Sequence, residues 1–166
     1  MHPLFHPLFV DYCSYFNGNE DYFECHEVLE DYWKELAPGE KQHPLVGYVQ
    51  LATGLYHWRR GNFLGANRML QKAIAIIGKH DPEPFFEYIN KDGLLEQMHI
   101  CVQRIQKSQH FIAFELPIKN DLLLQLVSQK ITELPALTSH YIMNKHMLRD
   151  RSDILTARES KKRNRH

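Results

Sequence analysis

The sequence predicts an all-α fold, an irregular multihelical bundle, and three observations carry that reading. Apolar side chains recur at helical spacing along most of the chain. Breaks built on Gly, Asn and Pro divide the apolar segments into helix-sized lengths. The one extended-looking stretch, FIAFELPIK around Pro117, contains a proline that removes a ladder donor, so it reads as a strap and not as a paired strand.

Each element follows in order. Across residues 21–36, Tyr22, Cys25, His26, Leu29, Trp33 and Leu36 fall on one helical stripe. Glu20, Glu24, Glu27, Asp31 and Lys34 take the other side, Asn17-Gly18-Asn19 turns the chain before it, and Pro38-Gly39 stops it. A second helix, from Pro44 to Arg60, is apolar around most of its circumference and is expected at the centre of the fold. Gly47 and Gly54 leave a flat strip on it where another helix can approach. Gly61-Asn62 then breaks the chain, and a third helix runs from Phe63 to Ile77. Asp81-Pro82 resembles a cap followed by a first-turn proline and predicts a short helical stretch over Phe85, Phe86 and Ile89. Asp92-Gly93 precedes a helix reaching Lys107, and Asn120 or Asp121 can cap one through Ile131. A further helix is expected from Ser139.

The length suits one domain. The expected organisation is a helical core over residues 1–110, a helical extension over 111–157 packed on or swapped with that core, and a disordered basic tail over 158–166. There is also a faint internal repeat, since DYFECHEVLEDYWK (21–34) lines up with NFLGANRMLQKAIA (62–75). The spacing of small residues in YHWRRGNFLGANRMLQKAI resembles a tetratricopeptide unit, so hairpins of that style are expected inside a compact array.

Twenty basic and twenty acidic side chains cancel, so no global field draws the protein to nucleic acid or to a membrane surface. Their distribution is uneven. Residues 1–40 hold nine acids against the single base Lys34, whereas the end of the chain carries Arg158, Lys161, Lys162, Arg163 and Arg165 against Glu159. These opposed ends can attract each other within one chain or between two. Cys13, Cys25 and Cys101 form no CxxC pair, so reduced thiols in the cytoplasm are expected. Neither a signal peptide nor a membrane span is expected.

The densest chemical constellation is Glu24-Cys25-His26-Glu27-Val28-Leu29-Glu30 with Trp33 after it. On a helix, His26 and Glu30 share a face, and a carboxylate beside an imidazole fixes its tautomer as general-base pairs and metal second shells require. Gln50 and His57 lie on one line of the second helix. If the two helices pack with these lines facing, His26, Glu30, His57 and Glu27 converge into a set suited to zinc, manganese or iron. The plainer reading is a structural network, because histidines at a core edge are commonly satisfied by a neighbouring glutamate. No HExxH occurs, nor the paired ExxH of di-iron bundles. Arg59 and Arg60 end their helix, where cations offset the dipole. His2, His6, His43, His80 and His110 read as incidental, and the basic tail lacks any aromatic platform for nucleic acid.

The blocks FNGNEDYFECHEVLEDYWK (16–34) and GYVQLATGLYHWRRGNFLGA (47–66) resemble the pattern of domain-of-unknown-function family 309, found in bacteria and archaea. The matching positions are Phe16, Asn17, Tyr22, Phe23, Glu24, His26, Glu27, Glu30 and Trp33, then Gln50, Ala52, Tyr56, His57, Arg60, Gly61, Asn62, Gly65 and Ala66. HMLRDRSDILTAR (146–158) is similar to the closing segment of longer, Bacillus-like members. The resemblance implies an irregular helical bundle and no activity, and it raises the weight on His26, Glu27, Glu30 and His57. Cys25 falls outside the pattern and reads as a core thiol.

Two functions are therefore in competition. The first is a non-enzymatic, homodimeric interaction module with a further, unidentified protein partner and no required cofactor. The second is a metal-dependent or acid–base enzyme of hydrolase type acting on a small substrate. In that reading His26 and His57 are ligands or base, Glu30 orients His26, and Glu27 is a further ligand or acid. Nucleic-acid association through the tail is the weakest option.

Overall fold

The helix at the centre of the fold is α3 (Pro44–Arg59), the segment that is apolar on nearly every side. The computed structural model describes residues 1–135. Among them, six α-helices and a few shorter turns are joined by irregular segments: α1 (Pro7–Ser14), α2 (Tyr22–Leu36), α3, α4 (Phe63–Lys79), α5 (Lys91–Gln106) and α6 (Asp121–Thr132). Each helix packs on a neighbour in a simple succession, α6 on α1, α1 on α2, α2 on α3, α3 on α4 and α4 on α5. The core is continuous through all of them, from Leu4 and Phe9 to Leu123 and Val127. No helix among the described residues is long and apolar enough to cross a membrane.

The closest packing is between α3 and α4, where the two glycines of α3 matter. A Cβ at Gly47 would stand 2.9 Å from Ile77 Cγ1, and one at Gly54 would stand 2.9 Å from Leu70 Cγ. Both lie inside van der Waals contact, so the absent side chains let α4 lie directly against the α3 backbone. This is the flat strip expected from the sequence.

Two sequence expectations need correction. The segment after Asp81 forms turns and not a short helix, with Phe86 N–H donating to Pro82 O over 2.7 Å. Pro84 disfavours helical backbone at Glu83 before it, which works against a helix opening there. α5 begins at Lys91, before Asp92-Gly93, because Asn90 takes the cap position and accepts from Gly93 N–H at 3.0 Å.

The amino-terminal elements were not foreseen. A 3-10 turn (Pro3–Phe5), α1 and a π-helical turn (Tyr15–Asn19) precede α2. Phe9, Tyr12, Cys13 and Phe16, at helical spacing, bury their side chains in the core. Three of the histidines read as incidental hold these starts in place. His2, His6 and His43 each stand before a proline, and each Nδ1 accepts the N–H two residues on, at 3.1 Å, from Leu4, Leu8 and Leu45. An imidazole nitrogen thus does what Ser or Asp usually does at an N-cap, with Pro in the first turn.

The strap after α5 follows its expectation. It stays extended and makes only an isolated bridge, Ile89 to Ile118. Trp58 donates its indole N–H to Gln109 O at 2.9 Å, and Asn17 Oδ1 accepts from Leu116 N–H at 2.8 Å. Phe111 sets its ring edge-on to Trp58, and Phe114 does the same to Phe16. The helix expected from Ser139 and the basic tail lie outside the described residues.

Candidate functional site

The site is built where α2 and α3 meet. α2 starts on Asp21, whose Oδ1 accepts from Glu24 N–H at 3.2 Å. That start puts Tyr22, Cys25 and Leu29 into the core and leaves His26 at its margin, half-buried. Glu27 and Glu30 clasp His26 from two sides. Nδ1 lies 3.1 Å from Glu27 Oε1, and Nε2 lies 3.1 Å from Glu30 Oε2. Glu30 reaches on to Lys34 Nζ at 2.7 Å and thereby pushes the ammonium pKa up. Four side chains thus form one charged network along a single helix, at the spacing that places i and i+4 together.

His57 approaches from the last turn of α3. Its Nδ1 stands 3.4 Å from Asn62 Nδ2, beside the cap of α4. His26 and His57 both line a small cleft of about 120 Å³, together with Tyr22, Phe23, Thr53 and Tyr56. The Thr53 hydroxyl donates to Val49 O at 2.9 Å within its own helix. The structure therefore brings His26 and His57 to one cleft, as the facing of the two helices predicts.

The carboxylates do not complete a ligand set with them. Among the described residues, no group of three or more His, Cys, Asp or Glu side chains is disposed to hold a metal ion. Glu27 and Glu30 are turned onto the two nitrogens of His26, so both ring positions are already met by carboxylates of the same helix.

Gln50 does not join this cleft. It lies two turns before His57 along α3, about 10.5 Å at 1.5 Å per residue, and lines a separate cleft with Trp33. Arg60 sets its guanidinium 5.6 Å from the centre of the Tyr56 ring. Arg59 keeps its expected place in the last turn of α3 and also makes contacts beyond it. Its Nη1 donates to Glu20 O at 2.8 Å, and its guanidinium lies over the rings of Tyr22 and Phe111, which ties the strap to the core. Burial pushes its pKa down. Cys25 is a core thiol, fully buried, with Sγ donating to Tyr12 O at 3.4 Å. Burial raises the pKa of all three cysteines, that of Cys101 to about 11, which withholds the thiolate on which reactivity depends. Thr53 was not singled out from the sequence, although its place one turn before His57 puts it on the same face.

The model for the family described as Domain of unknown function (DUF309) matches residues 9–69, the segment that holds most of α1, all of α2 and α3, and the cleft between these last two. A protein of Bacillus subtilis (strain 168), named Uncharacterized protein YpuF, is 34% identical over 163 residues, with 94% of each chain covered. No solved structure matches the chain. With the cleft-forming helices inside the family match and a relative aligned along nearly its whole length, the chain belongs to the DUF309 family.

Proposed function

We propose that the protein is a helical interaction module that acts as a homodimer, with the acidic face of α2 as the surface through which two copies meet. The observation that carries this reading is the ridge along α2. Glu27, Asp31 and Glu35 are exposed on it, Glu30 is half-buried, and Lys34 is its only lysine or arginine. His26 is tied to the same ridge through Glu27 and Glu30, which supports a surface role for this network. The complementary charge lies in the same sequence, where Arg158, Lys161, Lys162, Arg163 and Arg165 face only Glu159. Charges arranged in this way steer encounter and fix register, and their attraction weakens as salt rises. The aromatic cleft beside the ridge supplies an apolar anchor point.

Sedimentation velocity on the full chain tests this. The expected result is a dimer at low salt that becomes a monomer at high salt, and also on deletion of residues 158–166. A monomer under every condition would sink the reading.

A second reading rests on a different observation, that His26 and His57 line one cleft. Here the two histidines bind a divalent metal such as zinc, manganese or iron, or act as base, while Glu30 orients His26 and Glu27 adds a ligand or acid. Metal content by mass spectrometry on untagged protein, beside the double variant His26→Ala, His57→Ala, addresses it. Near-stoichiometric metal that the variant loses would establish the metal site. A folded wild type without metal would remove it.

A further inference from the structure

We propose that the cleft around Gln50, between α2, α3 and α4, binds a small organic anion that carries an apolar or aromatic body and one hydrogen-bond donor. The proposal is independent of the assembly reading, because it concerns a different cleft. The space is about 390 Å³, within the range of small-molecule sites. Two positions that the family pattern shares, Trp33 and Gln50, meet here, and the cleft of His26 and His57 uses neither.

Gln50 differs from the hydroxyl and indole side chains around it on α3. Tyr48 donates its hydroxyl to Phe85 O at 2.7 Å, Thr53 to Val49 O, and Trp58 its indole N–H to Gln109 O. Gln50 Oε1 is buried and, among the described residues, meets no hydrogen-bond donor. A buried acceptor without a donor is unfavourable, so the site is completed by whatever brings one. Rotation about the terminal torsion exchanges the amide nitrogen and oxygen, so the same group can meet a ligand that either donates or accepts.

The walls describe the rest of the ligand. Trp33 donates its indole N–H to Glu40 O at 3.0 Å, which fixes the ring along one side. Val46 and Ile76 provide further apolar surface. Lys41 and Lys72 are exposed at the edge, and among the described residues no acidic side chain lines the cleft. Gln42, which also lines the cleft, holds the loop that carries Lys41: its side chain accepts from Lys79 and its carbonyl meets His80 Nε2 at 2.6 Å. A water molecule could satisfy Gln50 but would leave the aromatic wall and the paired lysines unused. An anion held by the lysines, with its body on Trp33 and a donor on Gln50, uses all three.

The test uses the full chain and three probes, 4-hydroxybenzoate, benzoate without the donor, and phenol without the anion. Binding is followed through the indole N–H resonances, with Trp58 as the internal control for folding. The expected result is a saturable shift at Trp33 and not at Trp58 with 4-hydroxybenzoate, with a Kd on the order of millimolar, as befits a fragment. Benzoate and phenol should bind about tenfold more weakly, as should 4-hydroxybenzoate to the double variant Lys41→Glu, Lys72→Glu. In Gln50→Leu, the advantage of 4-hydroxybenzoate over benzoate should disappear while benzoate binding persists. No saturable shift at Trp33 in the folded wild type, or equal affinity for all three probes, would overturn the proposal.

Discussion

Helices α2 and α4 both pack on α3, and their inward faces are built alike while their outward faces carry opposite charge. Asp21 caps α2 and Asn62 caps α4 with nearly the same backbone angles, φ −84° and −85°, and each accepts from the N–H three residues on. At the aligned positions, Cys25 and Ala66, Leu29 and Leu70, and Tyr32 and Ala73 are all buried. The exposed positions diverge, because Glu27 stands where α4 has Arg68, and Asp31 where α4 has Lys72. The comparison separates two kinds of information in the chain. Inward residues set how a helix docks on α3, and outward residues set what that helix can meet.

The largest effects should come from the matched inward pair. Leu29→Ala and Leu70→Ala should each destabilise the protein by about 2–5 kcal/mol in urea unfolding, since both side chains are fully buried. Leu70→Ala should be the costlier, because Leu70 fills the space that Gly54 leaves open. A cost below about 1 kcal/mol at either site, where surface positions normally fall, would break the equivalence. The matched caps come next. Asp21→Ala and Asn62→Ala should each cost about 1 kcal/mol by the same measurement.

A smaller effect distinguishes the helix that both pack upon. α3 is capped by His43, whose pKa is lowered by burial and by nearby His80, against an opposing pull from Glu40. Its Nδ1 accepts from Leu45 N–H and must therefore be unprotonated. With the folded value below the unfolded one of about 6.5, the unfolded chain binds the proton more readily between them. Stability is then full above the unfolded pKa, falls as the pH drops through it, and levels off below the folded pKa. His43→Asn keeps a cap that does not titrate, so the wild type should lose more stability than this variant between neutral and mildly acidic pH. Equal losses would show that the cap does not titrate with folding.

Much of this was legible in the sequence, for reasons that differ by element. α2 and α4 carry clear 3.6-residue periodicity, α6 is marked by its cap although the pattern is weaker there, and Gly47 and Gly54 announce where α4 lies. α1 was hidden because its amino-terminal cap is a histidine, His6, in place of the usual Ser, Thr, Asp or Asn. The turns after Asp81 depart from the expected helix because a second proline, Pro84, disfavours helical backbone at Glu83 just after the cap. The cleft shared by His26 and His57 was foreseen from helix faces. The i, i+4 spacing placed Glu30 beside His26, but it could not show that Glu27, the next residue along, would turn onto the other nitrogen. Nor could it separate Gln50 from His57, which share a line on α3 but not a height.

The most direct test of the account exchanges the outward charges. Glu27→Lys with Asp31→Lys gives α2 the charge that α4 carries at the same positions, and as exposed substitutions these should change stability by no more than about 0.5 kcal/mol. A second variant, Lys161→Glu, Lys162→Glu and Arg163→Glu, inverts the other end of the chain. Sedimentation velocity at low salt should find each variant monomeric alone and the two together as a heterodimer, since each ridge then meets a tail of opposite sign. A charge-exchanged α2 variant that dimerises alone like the wild type, or a mixture that stays monomeric, would contradict the account.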